Sequence, residues 1–229
     1  MNLRDIYFKM RPVGIGRDCF EQLGRQLGLK VGKQRNWTKT TDSSGVKRFE
    51  NYLKGLVVDR IDQVWQTDIT YYQIAGRFYY LTFIQDAFSK VIVGHSVSKN
   101  LTTEQTTLPA LKMALKKRQV QDESGLILHS DGGGQYYCTD FLEVTKPLHI
   151  VNSMCKDARD NGMAERLNGI IKNNYLKPNR IKSFIELEER VDRSVYLYNQ
   201  EKPHRSLQRQ TPNEFEKKLR CQHGQNNVS

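Results

Sequence analysis

The stretch NGMAERLNGIIK, residues 161–172, is the segment around which the rest of the sequence is organised. Apolar residues recur in it and just beyond it at helical spacing, which predicts a helix with one face turned inward. These positions are Met163, Leu167, Ile170, Ile171 and Tyr175. Asp160 or Asn161 is placed to cap the helix, because a side-chain oxygen there can accept from the free N–H groups of the first turn.

A second face of the same helix carries Glu165, Asn168 and Lys172, which lie three and seven positions apart. A carboxylate and a lysine on one stripe suit a metal ion and a phosphate backbone lying across it. A glutamate near a helix start is more often only a favourable partner for the helix dipole. The choice between a metal site and a simple helix-dipole partner therefore depends on acidic residues elsewhere in the chain.

The bulk composition narrows the class of protein. The chain has 229 residues, 38% of them hydrophobic, with no apolar run near bilayer length and no charged-then-apolar leader. Its four cysteines are far apart and form no CxxC pair, which suits a reducing cytoplasm and argues against a structural zinc site. The net charge of +11 favours nucleic acid as a partner, although a merely basic soluble protein has the same excess.

Composition shifts divide the chain into four parts. Two short predicted helices around a Gly-containing turn resemble part of a helix-turn-helix, and are too short to hold a core alone. An acid-poor linker and a long α/β region follow, and the chain ends in a polar tail. The predicted boundaries are 1–29, 30–57, 58–219 and 220–229.

The linker is strongly basic, with six Lys or Arg residues and one acid between residues 30 and 48. We assign Lys30, Lys33 and Arg35 to contacts with a nucleic-acid backbone. A solvated charged loop explains the same composition equally well.

The α/β region begins with three β-prone runs that predict an antiparallel meander. Helices and short buried strands then alternate, and a capping box at Ser183 to Glu186 opens the last long helix of the region. The order β-β-β-α-β-α-β-α-α implies a mixed five-stranded sheet flanked by helices. The predicted elements before residue 160 are strands at 64–71, 78–84, 90–97, 126–129 and 148–151 and helices at 102–117 and 141–144.

Two aspartates occupy unusual places in these strands. Asp68 lies in the middle of the first strand, where aspartate is disfavoured. Asp131 follows the buried run at 126–129 and precedes three glycines, which suits a ligand site at a strand end, although aspartate before glycine is also a common turn. With Glu165, these carboxylates could converge to hold two divalent cations, and hard oxygen ligands suit Mg²⁺ or Mn²⁺. Two such ions can promote phosphodiester cleavage, so a phosphoryl-transfer enzyme acting on DNA is predicted.

Four other residues near these acids have a structural as well as a functional interpretation. Asp86 could be a fourth acid near the site but is more typical of a turn. His129 is expected to pack or hydrogen-bond near Asp131 and not to bind metal. Gln135 and Tyr136 could line a DNA path, with core packing of Tyr136 equally probable.

Five ordered motifs together resemble the DDE transposases of bacterial insertion sequences, in the group (OrfB type) with a retroviral-integrase-like core. The motifs are WQTDIT at 65–70, HSDG with QY at 129–136, the stretch at 161–172, YN with KPHRSL at 198–207, and TPNEF at 211–215. Each motif alone is weak, but their joint occurrence over roughly residues 3–219 is specific.

The resemblance implies an α/β, RNase H-like fold with Asp68, Asp131 and Glu165 as a metal-binding catalytic triad. It implies a polynucleotidyl transferase that uses Mg²⁺ or Mn²⁺, with two ions, to cleave DNA and transfer strands at insertion-element ends. Lys172 lies where the family contacts donor-end DNA. We also assign Asn168, Arg166 and Gln135 to DNA contacts.

The implied partners are the terminal repeats and target DNA, a second copy of the chain, and the product of an upstream reading frame. A membrane is not among them, and the expected location is the bacterial cytoplasm, on the nucleoid when DNA is bound. Between Asp131 and Glu165 lie 33 residues, fewer than the family's commonest spacing of about 35, and we place the shortfall in the loop at 155–160. The alternatives are a truncated, non-catalytic DNA-binding copy that regulates a full-length transposase and, less well supported, a ribonuclease H-type nuclease.

Overall fold

The computed structural model describes residues 2–29, 49–121, 124–155 and 161–226, with side chains described up to residue 222. Five strands form one sheet in the order β3-β2-β1-β4-β5. β1, β2 and β3 are antiparallel neighbours, whereas β4 pairs parallel to both β1 and β5, so the predicted meander and mixed sheet are confirmed. The strands are β1 (Val64–Ile74), β2 (Arg77–Asp86), β3 (Ile92–Ser98), β4 (Ile127–Ser130) and β5 (Val151–Met154).

Helices cover both faces of the sheet, in the predicted order. Successive strand residues point to opposite faces, so Ile84 belongs to the core beneath α3 and α4 while Phe83 belongs to the core beneath α5 and α6. α3 approaches β3 at Gly94, where a Cβ atom would lie 2.2 Å from the carbonyl oxygen of Ala110. The helices are α1 (Leu3–Met10), α2 (Arg17–Gln26), α3 (Thr107–Arg118), α4 (Thr139–Thr145), α5 (Gly162–Ile171), α6 (Phe184–Glu201) and α7 (Pro212–Asn226). None of the helices formed by the described residues combines the length and the apolar character of a bilayer span.

Several element boundaries differ from the predictions. β5 lies at Val151–Met154 and not at 148–151, because Lys146–Leu148 forms a 3-10 turn that His149 ends with a φ of 49°. α3 begins five residues later than predicted, after a turn at 103–106. The Ser183 cap is confirmed, since its Oγ accepts from the N–H of Glu186 at 3.1 Å. α7 continues through Asn226, beyond the predicted end of the core at residue 219.

The N-terminal helices form a pair that packs on the C-terminal half of the chain. Within the pair, the rings of Tyr7 and Phe20 meet at 5.6 Å. Outside it, Asp5 forms a buried ion pair with Lys202 at 3.1 Å. A second ion pair joins Lys9 to Glu201, and the guanidinium of Arg209 lies 4.2 Å from the centre of the Phe8 ring. The core thus supplies the packing that helices of this length need.

A network of buried charged and polar groups fixes α7 to the sheet. Arg118 Nη1 donates to Glu216 Oε2 at 2.7 Å, and its Nε lies 3.1 Å from Asp62 Oδ1 without the alignment of a hydrogen bond. The Ser89 hydroxyl lies 2.5 Å from Glu216 Oε1 and 2.7 Å from Asp86 Oδ1. Asp86 also accepts from the N–H of Ser89, so its turn role is confirmed. The network holds the turn between β2 and β3 against α7.

Candidate active site

Asp68 and Asp131 lie at the same end of the sheet because β1 and β4 are parallel. β4 pairs with β1 over Val64 to Gln66, so Asp68 comes two residues after the paired region. Asp131 directly follows the last residue of β4. Parallel strands thus bring together two carboxylates that are 63 residues apart in sequence.

The turn after β4 orients the Asp131 carboxylate. Gly132 has a φ of 78°, and a Cβ atom there would lie 2.5 Å from Met154 Sδ, so both backbone conformation and space require glycine. The N–H of Gly133 donates to Asp131 Oδ1 at 3.0 Å. Asp131 is therefore a turn residue before glycine, and it is also a half-buried carboxylate at the end of a strand.

The start of α5 is anchored to β1 by Asn161. Its side chain makes no capping hydrogen bond, so the predicted cap is wrong for this residue, while Asp160 lies outside the described residues. Instead its amide Nδ2 donates to the carbonyl oxygen of Thr67 at 3.2 Å. This contact places the first turn of α5, with Glu165, beside the strand that carries Asp68.

Two of the three polar residues on the predicted stripe of α5 reach β1. Asn168 Nδ2 donates to Asp68 Oδ2 at 2.8 Å, and Lys172 Nζ donates to Thr70 Oγ1 at 2.6 Å. Burial lowers the pKa of Lys172, as does the charge of Lys177. Glu165 is exposed. The stripe therefore has a buried part that binds β1 and an open part that carries the glutamate.

The three candidate catalytic carboxylates interact electrostatically. Burial raises the pKa of Asp68 to about 7, and the negative charges of Asp131 and Glu165 add to the effect. Burial also raises the pKa of Asp131. Within the ranges that the structure describes, no three Asp, Glu, His or Cys side chains form a group that could hold a metal ion. The structure thus brings the three residues to one end of the sheet without closing them into a coordination shell.

The residues around Asp131 have structural contacts. Tyr136 is buried, its hydroxyl lies 3.2 Å from Thr67 Oγ1, and its ring meets Phe141 edge-on, so the core-packing interpretation is correct. His129 is buried with Nδ1 2.9 Å from Ser153 Oγ, as expected of a packed histidine. Gln135 stays partly exposed. Its Nε2 donates to the carbonyl oxygen of Leu101 at 3.4 Å, joining the Asp131 loop to the segment before α3.

The outer side of α5 is open. Glu165 and Arg166 are both exposed there and line a shallow groove of about 460 Å³. The groove is completed by Gly162, Gly169, Ile170, Asn173 and Asn174. Of the other residues assigned to DNA, Lys30, Lys33 and Arg35 lie outside the described residues. Residues 156–160 also lie outside them, and they form most of the loop in which we place the shorter spacing between Asp131 and Glu165.

The C-terminal motif has a structural role that its sequence did not reveal. The Asn199 side chain accepts from the N–H of Ile92 at 2.9 Å and donates to its carbonyl oxygen at 3.0 Å, like a further strand at the edge of β3. The Tyr198 hydroxyl accepts from Gln85 Nε2 at 2.8 Å. The ring of His204 packs edge-on against Tyr198 at 4.9 Å, and burial lowers the pKa of His204 to about 3, so the imidazole is neutral.

Comparison with known proteins agrees with this fold. Two family models described as integrase core domain match residues 59–159 and 148–212. The transposase for insertion sequence element IS629 from Shigella sonnei is 33% identical over 208 residues, which cover 90% of this chain and 69% of that protein.

Solved structures show the same fold. The magnesium complex of the HTLV-2 integrase catalytic core domain (trimeric form) has a TM-score of 0.53 and 24% identity, over 67% of this chain and 95% of that chain. The BIV integrase catalytic core domain has a TM-score of 0.51 and 19% identity, over 72% and 98% of the two chains. The predicted RNase H-like fold is thus confirmed.

The chain belongs to the insertion-sequence transposases that carry an integrase core domain. Its predicted function as a transposase is confirmed, and its family is one of polynucleotidyl transferases.

Proposed function

We propose that this transposase cleaves DNA at insertion-element ends and transfers the strands with a divalent metal held by Asp68, Asp131 and Glu165. One observation carries the proposal: burial raises the pKa of Asp68, and the negative charges of Asp131 and Glu165 raise it further. Like charges gathered in a partly buried place are unfavourable unless a cation compensates them. The three come from β1, β4 and α5, so the fold itself assembles this charge.

The donor set fits Mg²⁺ or Mn²⁺. Carboxylate oxygens are hard ligands, and three of them leave positions for phosphate and water oxygens. The HTLV-2 integrase core, which shares the fold, was solved with magnesium, which supports the same choice here. When bound, two such ions would activate an attacking water or 3′-hydroxyl and stabilise the leaving oxygen.

The chain's own residues position the carboxylates and the DNA. Asn168 holds one oxygen of Asp68 and so orients the other. Lys172 and Arg166 supply positive charge on α5, and Gln135 lies at the edge of the Asp131 loop. We assign Asn168, Lys172, Arg166 and Gln135 to the DNA path. The basic linker residues Lys30, Lys33 and Arg35 are assigned to it as well. Since phosphate contacts set position and not sequence, recognition of the repeats falls to other parts or to the product of an upstream reading frame.

The reaction consists of two displacements at phosphorus. Water attacks the phosphodiester at the element end, the P–O3′ bond of the adjoining nucleotide breaks, and a free 3′-hydroxyl remains. That hydroxyl then attacks a second phosphodiester in line: a new P–O bond forms to the 3′-oxygen, the P–O3′ bond of the attacked strand breaks, and the leaving 3′-oxygen takes up a proton in exchange for the one that the attacking hydroxyl loses. Two ends must be held together, so the active form contains at least two copies of the chain.

The test is metal-dependent cleavage and strand joining on a labelled terminal-repeat duplex. Asp131→Asn should lose both reactions in Mg²⁺ and Mn²⁺ while keeping DNA affinity and thermal stability. Glu143→Gln is the matched control, because Glu143 is exposed on α4 and close in sequence. An active Asp131→Asn variant, or a wild-type protein that binds the repeat without any metal-dependent chemistry, would contradict the proposal.

A further inference from the structure

The tip of the β1–β2 hairpin is unusually aromatic. The sequence YYQIAGRFYY at 71–80 contains five aromatic residues, none of which the proposed chemistry uses. We call this group the hairpin ridge, and it consists of Tyr71, Tyr72, Phe78, Tyr79 and Tyr80. In the strand register Tyr71 is opposite Tyr80, Tyr72 is opposite Tyr79, and Phe78 is opposite Gln73.

Part of the hairpin ridge is open to solvent. Strand alternation places Tyr71, Phe78 and Tyr80 on one face, away from the core under α5 and α6, against which Tyr72 and Tyr79 pack. Phe78 is 46% exposed and meets Tyr71 edge-on, with ring centres 5.1 Å apart and planes at 88°. A pair of aromatic rings is therefore presented at the end of the sheet.

Basic side chains lie against aromatic rings on both faces of the hairpin. Lys172 Nζ is 5.3 Å from the centre of the Tyr71 ring, and the guanidinium of Arg77 is 5.6 Å from that of Tyr79. Lys99, directly after β3, has its Nζ 4.6 Å from the ring of Phe184 on α6, and that ring packs against Tyr79. Aromatic rings interleaved with cations are typical of surfaces that bind single-stranded nucleic acid.

The hairpin ridge is close to the carboxylates. Tyr71 follows Asp68 by three residues on the same strand, or about 10 Å along the backbone, and this odd spacing points the two side chains to opposite faces of the sheet. Lys172 connects the two regions, since it donates to Thr70 while its ammonium lies near the Tyr71 ring. A DNA strand at the carboxylates would therefore reach these rings within a few nucleotides.

We infer that the hairpin ridge binds unpaired DNA bases next to the cleaved phosphodiester, with Phe78 and Tyr71 stacking on them. Bases inside a duplex have both faces covered by their neighbours, so aromatic side chains can stack on them only where the strand is unpaired. Lys172, whose ammonium lies against the Tyr71 ring, would meet the phosphates of the same strand. This inference rests on the proposed DNA chemistry and adds to it the form of DNA that the protein holds.

The test compares single-stranded and duplex DNA of about 15 nucleotides by fluorescence anisotropy, without divalent metal. Phe78→Leu should weaken binding of the single strand by about fivefold to a hundredfold, the range of one base–aromatic stack, and leave the duplex affinity unchanged. Phe78→Trp should restore the affinity. Tyr196→Leu is the matched control, because Tyr196 is 51% exposed on α6 with the guanidinium of Arg193 5.0 Å from its ring.

Three results would overturn the inference. They are unchanged single-strand affinity in Phe78→Leu, an equal loss for duplex and single strand, and a change in sedimentation of the free protein without any change in DNA binding. The last would identify the ridge as a contact between protein chains. Because the measurement needs no metal, a failure of cleavage does not affect it, and the two proposals can fail separately.

Discussion

Replacing Glu216 by glutamine should destabilise the protein strongly, because the substitution leaves a buried cation without its main partner. The side chains of Arg118 and Glu216 are 6% and 10% exposed. Glutamine keeps the size of the side chain and removes the charge. The guanidinium then retains Asp62 at 3.1 Å, in a contact not aligned as a hydrogen bond.

The magnitude follows from the burial. Breaking one member of a buried ion pair costs about 3–5 kcal/mol. Asp62 and Asp86 still compensate part of the charge, which places the expected loss near the lower end, about 3 kcal/mol. In a chain of this size that loss corresponds to a fall of roughly 6–12 °C in Tm.

The same pair sets a pH dependence. Burial alone would raise the pKa of Glu216, but the hydrogen bond and charge of Arg118 lower it below 4.5. The unfolded chain then binds the proton more tightly than the folded one. The stabilisation is therefore present above pH 4.5 and is lost as the pH falls through the lower pKa of the folded state.

Urea unfolding of the wild type, Glu216→Gln, Arg118→Met and the double variant would measure the coupling. The double variant should be less destabilised than the sum of the single variants, because neither Arg118 nor Glu216 is then buried without the other. Glu189→Gln, an exposed acid on α6, is the control. A free energy of unfolding for Glu216→Gln within about 0.5 kcal/mol of the wild type would refute the reasoning.

Three further predictions follow from single contacts. Asn168→Ala frees the Asp68 carboxylate and should lower strand joining by about 10–100-fold at a given Mn²⁺ concentration. Full activity of this variant would show that Asn168 does not position Asp68. Asn199→Ala leaves the N–H and C=O of Ile92 unpaired and should cost about 1–3 kcal/mol in urea unfolding, whereas a neutral result would show that water replaces the amide. The pKa of His204 is lowered to about 3, mainly by burial, so the wild type should lose stability as the pH falls below 6.5. His204→Phe should flatten the dependence of stability on pH between pH 7 and 5. Equal slopes in the wild type and the variant would contradict this expectation.

Local pattern was enough to predict the sheet. The β-prone runs at 64–71 and 78–84, separated by a Gly-containing turn, specify a hairpin within a few residues, and the alternation of later elements specifies helices on its faces. The predicted position of β5 is wrong because two of its four residues, Asn152 and Ser153, are polar, while the apolar residues just before it are more β-prone. Its strand conformation comes from pairing with β4, which no local signal contains.

The partners of individual side chains could not be predicted, because they depend on topology. Asn168 meets Asp68 across 100 residues and Glu216 meets Arg118 across 98. Local reasoning about Asn161 failed for the same reason, since a contact with Thr67, 94 residues away, replaced the cap that helix statistics favour. The three candidate carboxylates can be proposed from the sequence, whereas the contacts around them cannot.

Helix α1 is synthesised long before the residues on which it packs. Asp5 and Lys9 pair with Lys202 and Glu201, which lie 197 and 192 residues further along the chain. At ribosomal rates of about 5–20 residues per second, α1 is synthesised roughly 10–40 s before its docking surface exists. A nascent chain therefore completes the five-stranded sheet while its N-terminal helices are still unattached. Fragments that end before residue 201 would keep them unattached, so only a chain translated through this point can bring α1 to the residues it packs on.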